Sequence, residues 1–301
     1  MTFRRTSSPG SPHWGVGVEF PSELTDQDGI ETFLSGLGNA EIIPEGFFHG
    51  RRSDFIKRLA NKGTPVVGHT IELSIGSAEP LKRAHLDHVI RVLSEVNTVV
   101  YSDHLCMTDV GGVEIGQLTT LPWTWEAVDH VCRKVDEVQN IISWPFILEN
   151  ITNRFVVPGN EMTEPEFFNA ITSRTGCGVL LDVTNLYTNS VNFQYDPRAW
   201  FAALDKNTVK GIHLAGGEWE DGVLYDTHSR PVYDEVWDLF EHVMLHSAPD
   251  AIVIEWDQDT PTLERLSEEV RKAESVIRAA RPRRPKRFGA ASRTALSGGL
   301  R

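Results

Sequence analysis

Cysteine is scarce in this chain, and the three present, Cys106, Cys132 and Cys177, form no close-spaced pair or quartet. That spacing excludes a disulfide framework and a Cys-based zinc site. Cys132 falls in an expected helix and Cys177 at the start of an apolar strand, where cysteine serves as a small core residue. Cys106 stands two residues after His104, nearer to any chemistry there. No apolar run approaches the roughly 20 residues that a membrane-spanning helix needs. The opening MTFRRTSSPGSPHWG contains no apolar stretch of the kind found in a secretory signal. A soluble protein of a reducing, cytoplasmic compartment is the expectation. Basic residues are also few before the end of the chain. The eight Lys and Arg from Arg278 onward leave 21 basic against 42 acidic side chains in the preceding sequence. So acidic a surface repels nucleic-acid backbones. Finally, no Gly-rich phosphate loop follows the first apolar run, which argues against an open dinucleotide-binding sheet.

What is present is an alternation. Short apolar runs at 14–19, 40–44, 66–69, 98–102, 146–149, 178–182, 209–213 and 251–255 read as strands. Between them, segments 51–60, 81–93, 124–138, 163–175, 197–204, 232–245 and 262–280 repeat apolar positions at helical spacing. Thr124, Thr163 with Glu166, and Asp196-Pro197 mark helix starts. Alternation of this kind gives parallel sheets with right-handed crossovers. Eight units predict a closed (β/α)8 barrel, the TIM barrel of the α/β class, over residues 14–280. Residues 1–13 read as a flexible N-terminus. Residues 281–301, rich in Arg, Pro and Gly, read as a disordered basic tail that is dispensable for metal binding.

The chemistry sits at the strand ends. His69, His104, Glu149, Asp182, His213 and Glu255 each follow or close an apolar run, and Asp226-Thr227-His228 lies between the last two. A barrel brings strand ends to one mouth. A carboxylate such as Glu149, after Phe146-Ile147-Leu148, is costly there unless paired or metal-bound. Asn185 offers either an amide oxygen to a metal or an Asx turn that holds a tight turn after Asp182. Asp103 reads as an outer acceptor or a turn residue. Gly68, and Gly216 with Gly217, suggest close approach by something bulky or by a ligand. Three strand-end histidines, another histidine, four carboxylates and Asn185 exceed what one ion uses. The surplus points to two or three metals with bridging carboxylates, and N/O ligation suits iron, manganese or zinc.

These motifs carry a resemblance. SDHL (102–105), PFILEN (145–150), MTEPEFF (162–168), RTGCGVLLDVTNLY (174–187), IHLAGG (212–217), DTHSRPV (226–232) and IEWD (254–257) resemble the DUF692 family of multinuclear non-haem iron enzymes. That family includes the methanobactin and 3-thiaglutamate biosynthesis enzymes. The resemblance implies two or three irons, mixed ferrous and ferric, with dioxygen as co-substrate. It implies oxidative modification of a residue, cysteine foremost, in a ribosomally made precursor peptide, and a small partner protein that recognises the leader. The implied ligands are His69, His104, Glu149, Asp182, Asn185, His213, Asp226, His228 and Glu255. Glu149, Asp182 and His213 are expected at the centre of the chemistry, Glu149 as the shared carboxylate. Thr184 and Gly217 with Glu218 depart from the family's pattern and bear on pocket shape. Two other functions compete: a zinc- or manganese-dependent barrel isomerase or hydrolase, and a non-enzymatic metal-binding assembly factor. Iron content and dioxygen uptake separate them from the first.

Overall fold

The computed structural model describes residues 12–21, 24–25, 27–47 and 53–280. Nearly all of the expected flexible N-terminus and the whole basic tail at 281–301 lie outside the described residues. Eight parallel strands close into a barrel. They are β1 (Val16–Glu19), β2 (Asn39–Ile42), β3 (Pro65–Thr70), β4 (Asn97–His104), β5 (Phe146–Glu149), β6 (Gly178–Asp182), β7 (Val209–Leu214) and β8 (Ala251–Ile254). Each expected strand falls on one of them. The strands pair in chain order, and β1 closes on β8 through Val16, Gly17 and Val18 opposite Ile252, Val253 and Ile254.

Helices α1 (Ile30–Gly36), α2 (Ser53–Lys62), α3 (Arg83–Leu93), α4 (Trp125–Ile141), α5 (Glu164–Thr175), α6 (Val183–Phe193), α7 (Pro197–Ala203), α8 (Asp234–His246) and α9 (Leu263–Ala280) accompany them. The caps act as hydrogen-bond acceptors for first-turn N–H groups. Thr124 accepts from the Ala127 N–H, and Asp196 Oδ1 from the Arg198 N–H at 2.9 Å. The expected reciprocal box forms at α5: the Thr163 side chain accepts from the Glu166 N–H, and the Thr163 N–H donates to Glu166 Oε2 at 2.8 Å. α1 and α6 were not foreseen in the sequence. The expected tight turn after Asp182 is a helix: β6 passes straight into α6, with Asp182 as its cap. Two hairpins were also unforeseen. Met107–Val110 pairs with Val113–Thr119, and Glu218–Glu220 with Val223–Tyr225. Both pairs hang from loops at the carboxyl ends of strands, the end that carries function in barrels.

Side chains alternate across each strand. Leu148, Leu181 and Ile212 face outward and join the large core under the helices. Val67, Val100, Ile147, Leu180, Ala251 and Val253 face inward and fill the barrel axis, with Trp14 and Val99 packed against them. Every inward residue sits an even number of positions before a candidate ligand: Val67 before His69, Val100 before His104, Ile147 before Glu149, Leu180 before Asp182, Val253 before Glu255. The apolar plug is therefore the floor of the site. Ile147, 1% exposed, tests this layer. Ile147→Val should cost about 1 kcal/mol in chemical denaturation and leave metal content unchanged, because it removes one methyl and no ligand.

Three glycines answer to packing. A Cβ on Gly68 would lie 2.5 Å from Leu93 of α3, so the bulky neighbour is a core leucine. At Gly216 and Gly217 the close approach comes from backbone oxygens of Arg230 and Tyr225, at 2.0 and 2.2 Å from a built Cβ. The expected ligand passage at these two glycines is thus a chain crossing. The departures at Thr184 and Gly217 are also stitches: Thr184 Oγ1 donates to Ala215 O at 3.0 Å and accepts from its N–H at 2.8 Å, and Tyr233 OH donates to Gly217 O.

Candidate metal centre

Register assembles the mouth. His104 on β4 stands opposite Glu149 on β5, and Asp182 on β6 opposite His213 on β7. His69 is the last residue but one of β3, one strand from His104, and Glu255 follows β8. Their ligating atoms converge in three overlapping buried groups: His69, His104 and Glu149; His69, His213 and Glu255; Glu149, Asp182, His213 and Glu255. Six of the nine expected ligands therefore share one cluster with Glu149 at its centre. Glu149 Oε2 lies 3.3 Å from His69 Nε2 and 3.3 Å from His104 Nε2, and Oε1 lies 3.3 Å from His213 Nδ1.

The histidine tautomers follow from the outer partners. Ser102 donates its hydroxyl proton to Gly68 O at 3.2 Å, so it must accept from His69 Nδ1 at 2.9 Å. That leaves the His69 Nε2 lone pair facing a carboxylate oxygen. His213 Nε2 sits 3.0 Å from Glu41 Oε2, which accepts its N–H and turns Nδ1 toward Glu149 and Glu255. His228 Nδ1 sits 2.9 Å from Asp257 Oδ2, which turns Nε2 to Asp226 Oδ1 at 2.8 Å. In all three the outer nitrogen is held by an acceptor and the inner one faces carboxylate oxygens. Outer partners of this kind orient metal-bound histidines.

The inner atoms are orphans. Glu149 Oε2, Asp182 Oδ2, Asn185 Oδ1, Glu255 Oε2, His213 Nδ1, Asp226 Oδ1 and His228 Nε2 are buried without an aligned hydrogen bond. Buried polar atoms are almost always satisfied, so a convergent set of exceptions calls for an ion. Two atoms bound about 2.1 Å from one ion at right angles lie about 3.0 Å apart, close to the nitrogen–oxygen separations seen here. Charge points the same way. Among the described residues, no Lys or Arg pairs with Glu19, Glu41, Glu149, Asp182, Asp226, Glu255 or Asp257. Burial pushes Asp182 well above the ordinary carboxylate range, and the charges of Asp226, Glu149 and Glu255 add to it. Burial also raises Glu41 to about 7, against the pull of His213. Burial depresses His213, but Glu255, Glu41 and Glu149 carry it well above its usual value. So dense a buried negative charge is costly unless cations neutralise it. The donor set fits divalent or trivalent ions with mixed imidazole and oxygen ligation.

Three expected ligands stand beside the six. Asp226 and His228 form their own pair on the loop after the second hairpin, close enough that Asp226 raises Asp182 and Glu255 raises His228. His228 adopts a left-handed backbone with φ 48°, a conformation that non-glycine residues keep where a site constrains them. Asn185 lies in the first turn of α6, where its N–H donates to Asp182 Oδ1 at 2.8 Å. Its amide donates to Asn150 O at 3.0 Å, and Oδ1 is left free. Asn150 in turn exchanges two 2.9 Å hydrogen bonds with the Asp182 backbone, locking β5 to β6. Asp103 is structural: it accepts from Thr70 Oγ1 at 2.5 Å, Leu73 N–H at 3.3 Å and His104 N–H at 2.7 Å. Cys106 is fully buried, and burial pushes its thiol well up, so it offers no thiolate.

Glu19, Glu41 and Asp257 belong to the site without being expected there from the sequence. Glu19 and Glu41 close or nearly close β1 and β2, the very position that singled out the other ligands, so the same rule applied to all eight strands finds them. Asp257 carried no such signal. It becomes visible only when the chain after β8 folds back against His228.

Comparison with known proteins places this arrangement. A family model described as RiPP precursor modification enzyme MbnB/TglH/ChrH matches residues 15–278. A UPF0276 protein of Chromobacterium violaceum is 37% identical over 241 residues, covering 80% of this chain and 87% of its own. One from Psychromonas ingrahamii is 32% identical over 269 residues, covering 87% and 93%. Among solved structures, an L-ribulose 3-epimerase superposes with a TM-score of 0.54 at 14% identity, covering 89% of this chain and 95% of that one. D-psicose 3-epimerase of Clostridium cellulolyticum superposes at 0.53 and 11%, covering 90% and 100%. Identity that low shows a shared TIM barrel and nothing of the reaction.

Proposed function

Because the chain belongs to the DUF692 family of RiPP precursor modification enzymes (MbnB/TglH/ChrH), we propose that it is a multinuclear iron- and dioxygen-dependent oxidase or oxygenase. Its substrate is a cysteine, foremost, in a ribosomally synthesised precursor peptide. The observation that carries the reading is the ring of buried, orphaned nitrogen and oxygen atoms around Glu149. The number of ligating side chains supports more than one ion. His69, His104, Asp182, His213 and Glu255 would hold two ions around the shared Glu149 carboxylate. Asp226, His228 and Asn185 would complete the set.

When bound, iron supplies a redox centre through which electrons pass from the substrate to dioxygen, and a Lewis acid for a thiolate. The chain supplies the rest. Ser102, Glu41 and Asp257 keep one proton on the outer nitrogen of His69, His213 and His228, so the inner nitrogens stay available. Asn150 and the α6 cap hold Asp182 against β5. The plug of Val67, Ile147, Leu180 and Val253 closes the barrel below and keeps water from entering from that side. The carboxyl-end loops then orient the peptide at the open end.

The catalytic unit is residues 14–280. The segment 281–301 contains no His, Cys, Asp or Glu and contributes no ligand. The family reading also supports a small partner protein that presents the peptide leader. Among the described residues no helix is long and apolar enough to cross a membrane, and the three cysteines are unpaired. Both support a reducing, cytoplasmic setting.

Elemental analysis and Mössbauer spectroscopy of anaerobically purified protein test the proposal. Two or three irons per chain, with dioxygen uptake on adding peptide, are expected. One zinc and no iron at full activity, or turnover without dioxygen, would sink it in favour of the isomerase or hydrolase reading. His228→Ala refines the assignment. It should remove one ion preferentially and shift the melting temperature by less than about 4 °C, because the side chain lies on a loop and not in the packed core. A collapsed thermal transition would contradict that.

A further inference from the structure

A cavity of about 530 Å³ opens between the 153–163 loop, the first turn of α5 and the junction of α6 with α7. That volume is in the range of small-ligand sites. Its walls are mainly apolar, with Met162, Phe193 and Trp200 among them. At its rim Phe155 and Val156 are 53% and 62% exposed. Two carboxylates line it. Asp196 is exposed and already caps α7. Glu164 is buried, 7% exposed, and accepts the Trp200 indole N–H at 3.0 Å. Among the described residues no Lys, Arg or His pairs with Glu164. Burial accordingly raises its carboxyl to about 7, although Trp200 and Asn153 pull it partway back. Two further polar atoms on residues that line the cavity, Asn153 Oδ1 and Tyr195 OH, are buried with no hydrogen-bond partner.

We propose that this cavity binds a primary alkylammonium group, the end of a lysine side chain or of a small free amine. An ammonium carries three donors and no acceptor. Glu164, Asn153 Oδ1 and Tyr195 OH are three acceptors in apolar surroundings, one of them anionic. The apolar walls suit the methylene stem that carries such a head group. A neutral apolar ligand would leave Asn153 Oδ1 and Tyr195 OH unsatisfied and Glu164 without a counter-charge, and a carboxylate would be repelled. None of these residues belongs to the metal cluster, so the inference stands apart from the iron reading.

Titration calorimetry of the full-length protein with hexylamine, hexanol, hexanoate and an amide-capped, Nα-acetylated lysine decides it. Hexylamine should saturate the protein and bind at least about tenfold more tightly than hexanol, as a hydrogen-bonded charge contributes. Hexanoate should not bind. Glu164→Gln should bring hexylamine to the level of hexanol. Tyr195→Phe should weaken the amine by a smaller factor, and it carries the test if Glu164→Gln does not fold. Binding of the capped lysine assigns the site to a peptide side chain, and binding of hexylamine without it assigns a small amine. No hexylamine binding, equal affinity for hexanol, or unchanged amine affinity in the folded variant overturns the proposal.

Discussion

Glu149→Ala should lose iron and peptide-modifying activity together. Glu149 faces three histidines at 3.3 Å each, His69 and His104 through Oε2 and His213 through Oε1, and it belongs to two of the three ligand groups. Burial pushes its carboxyl up, yet His213, His104 and His69 draw it below the ordinary carboxylate range, so it is held as an anion. Removing it separates the His69–His104 side of the cluster from the Asp182–His213–Glu255 side. Activity should fall by more than about 100-fold, beyond the effect of changing an outer partner, and iron per chain should fall with it. Glu149→Gln keeps the shape and removes the charge, which guards against a merely structural effect. Full iron content and turnover in either variant would show that the bridge lies elsewhere.

Gly216→Ala should produce the largest loss of stability. The added Cβ would lie 2.0 Å from Arg230 O, 2.4 Å from Pro231 O and 2.5 Å from Arg230 C. These are backbone atoms and cannot rotate away. The crossing is already tied by the Ser229 N–H donating to Gly216 O at 3.3 Å. Relief requires moving the chain at 229–231, which is joined directly to His228. The expected cost is about 3 kcal/mol or more, roughly 6–12 °C in melting temperature for a domain of this size. Loss of the ion at Asp226 and His228 should accompany it. An unchanged transition with full metal content would mean that the crossing is looser than described.

The same crossing shows where sequence reading stopped. Gly216-Gly217 after a strand-end histidine signalled a close approach, and a close approach is there. Which partner makes it, a ligand or the 230–231 backbone, depends on a contact between segments that no local pattern encodes. Asp182 is similar. Its place after Gly178-Val179-Leu180-Leu181 marked it as a ligand candidate. Its second role, capping α6 with Oδ1 while Oδ2 stays free, appears only once the helix is seen to begin at Val183. α1 and α6 were missed because α1 is short and α6 is rich in Thr, Asn and Ser, residues that favour turns when read alone. The hairpins were missed because they pair with themselves and bury little.

By itself the sequence determined the eight strands, their alternation with helices and the placement of nine candidate ligands at or near one end of the barrel. It could do so because those properties are local: a period of two in a strand, a period near four in a helix, and a polar side chain where an apolar run stops. Tertiary structure decided which ligands meet. Parallel register set His104 beside Glu149 and Asp182 beside His213, and barrel closure carried Glu41 of β2 across to His213 of β7. The tautomer of each histidine is likewise a tertiary fact, since Ser102, Glu41 and Asp257 lie 33, 172 and 29 residues from the rings they hold. Hydrogen-bond direction depends on distance in space, and separations of that size are invisible to any pattern read along the chain.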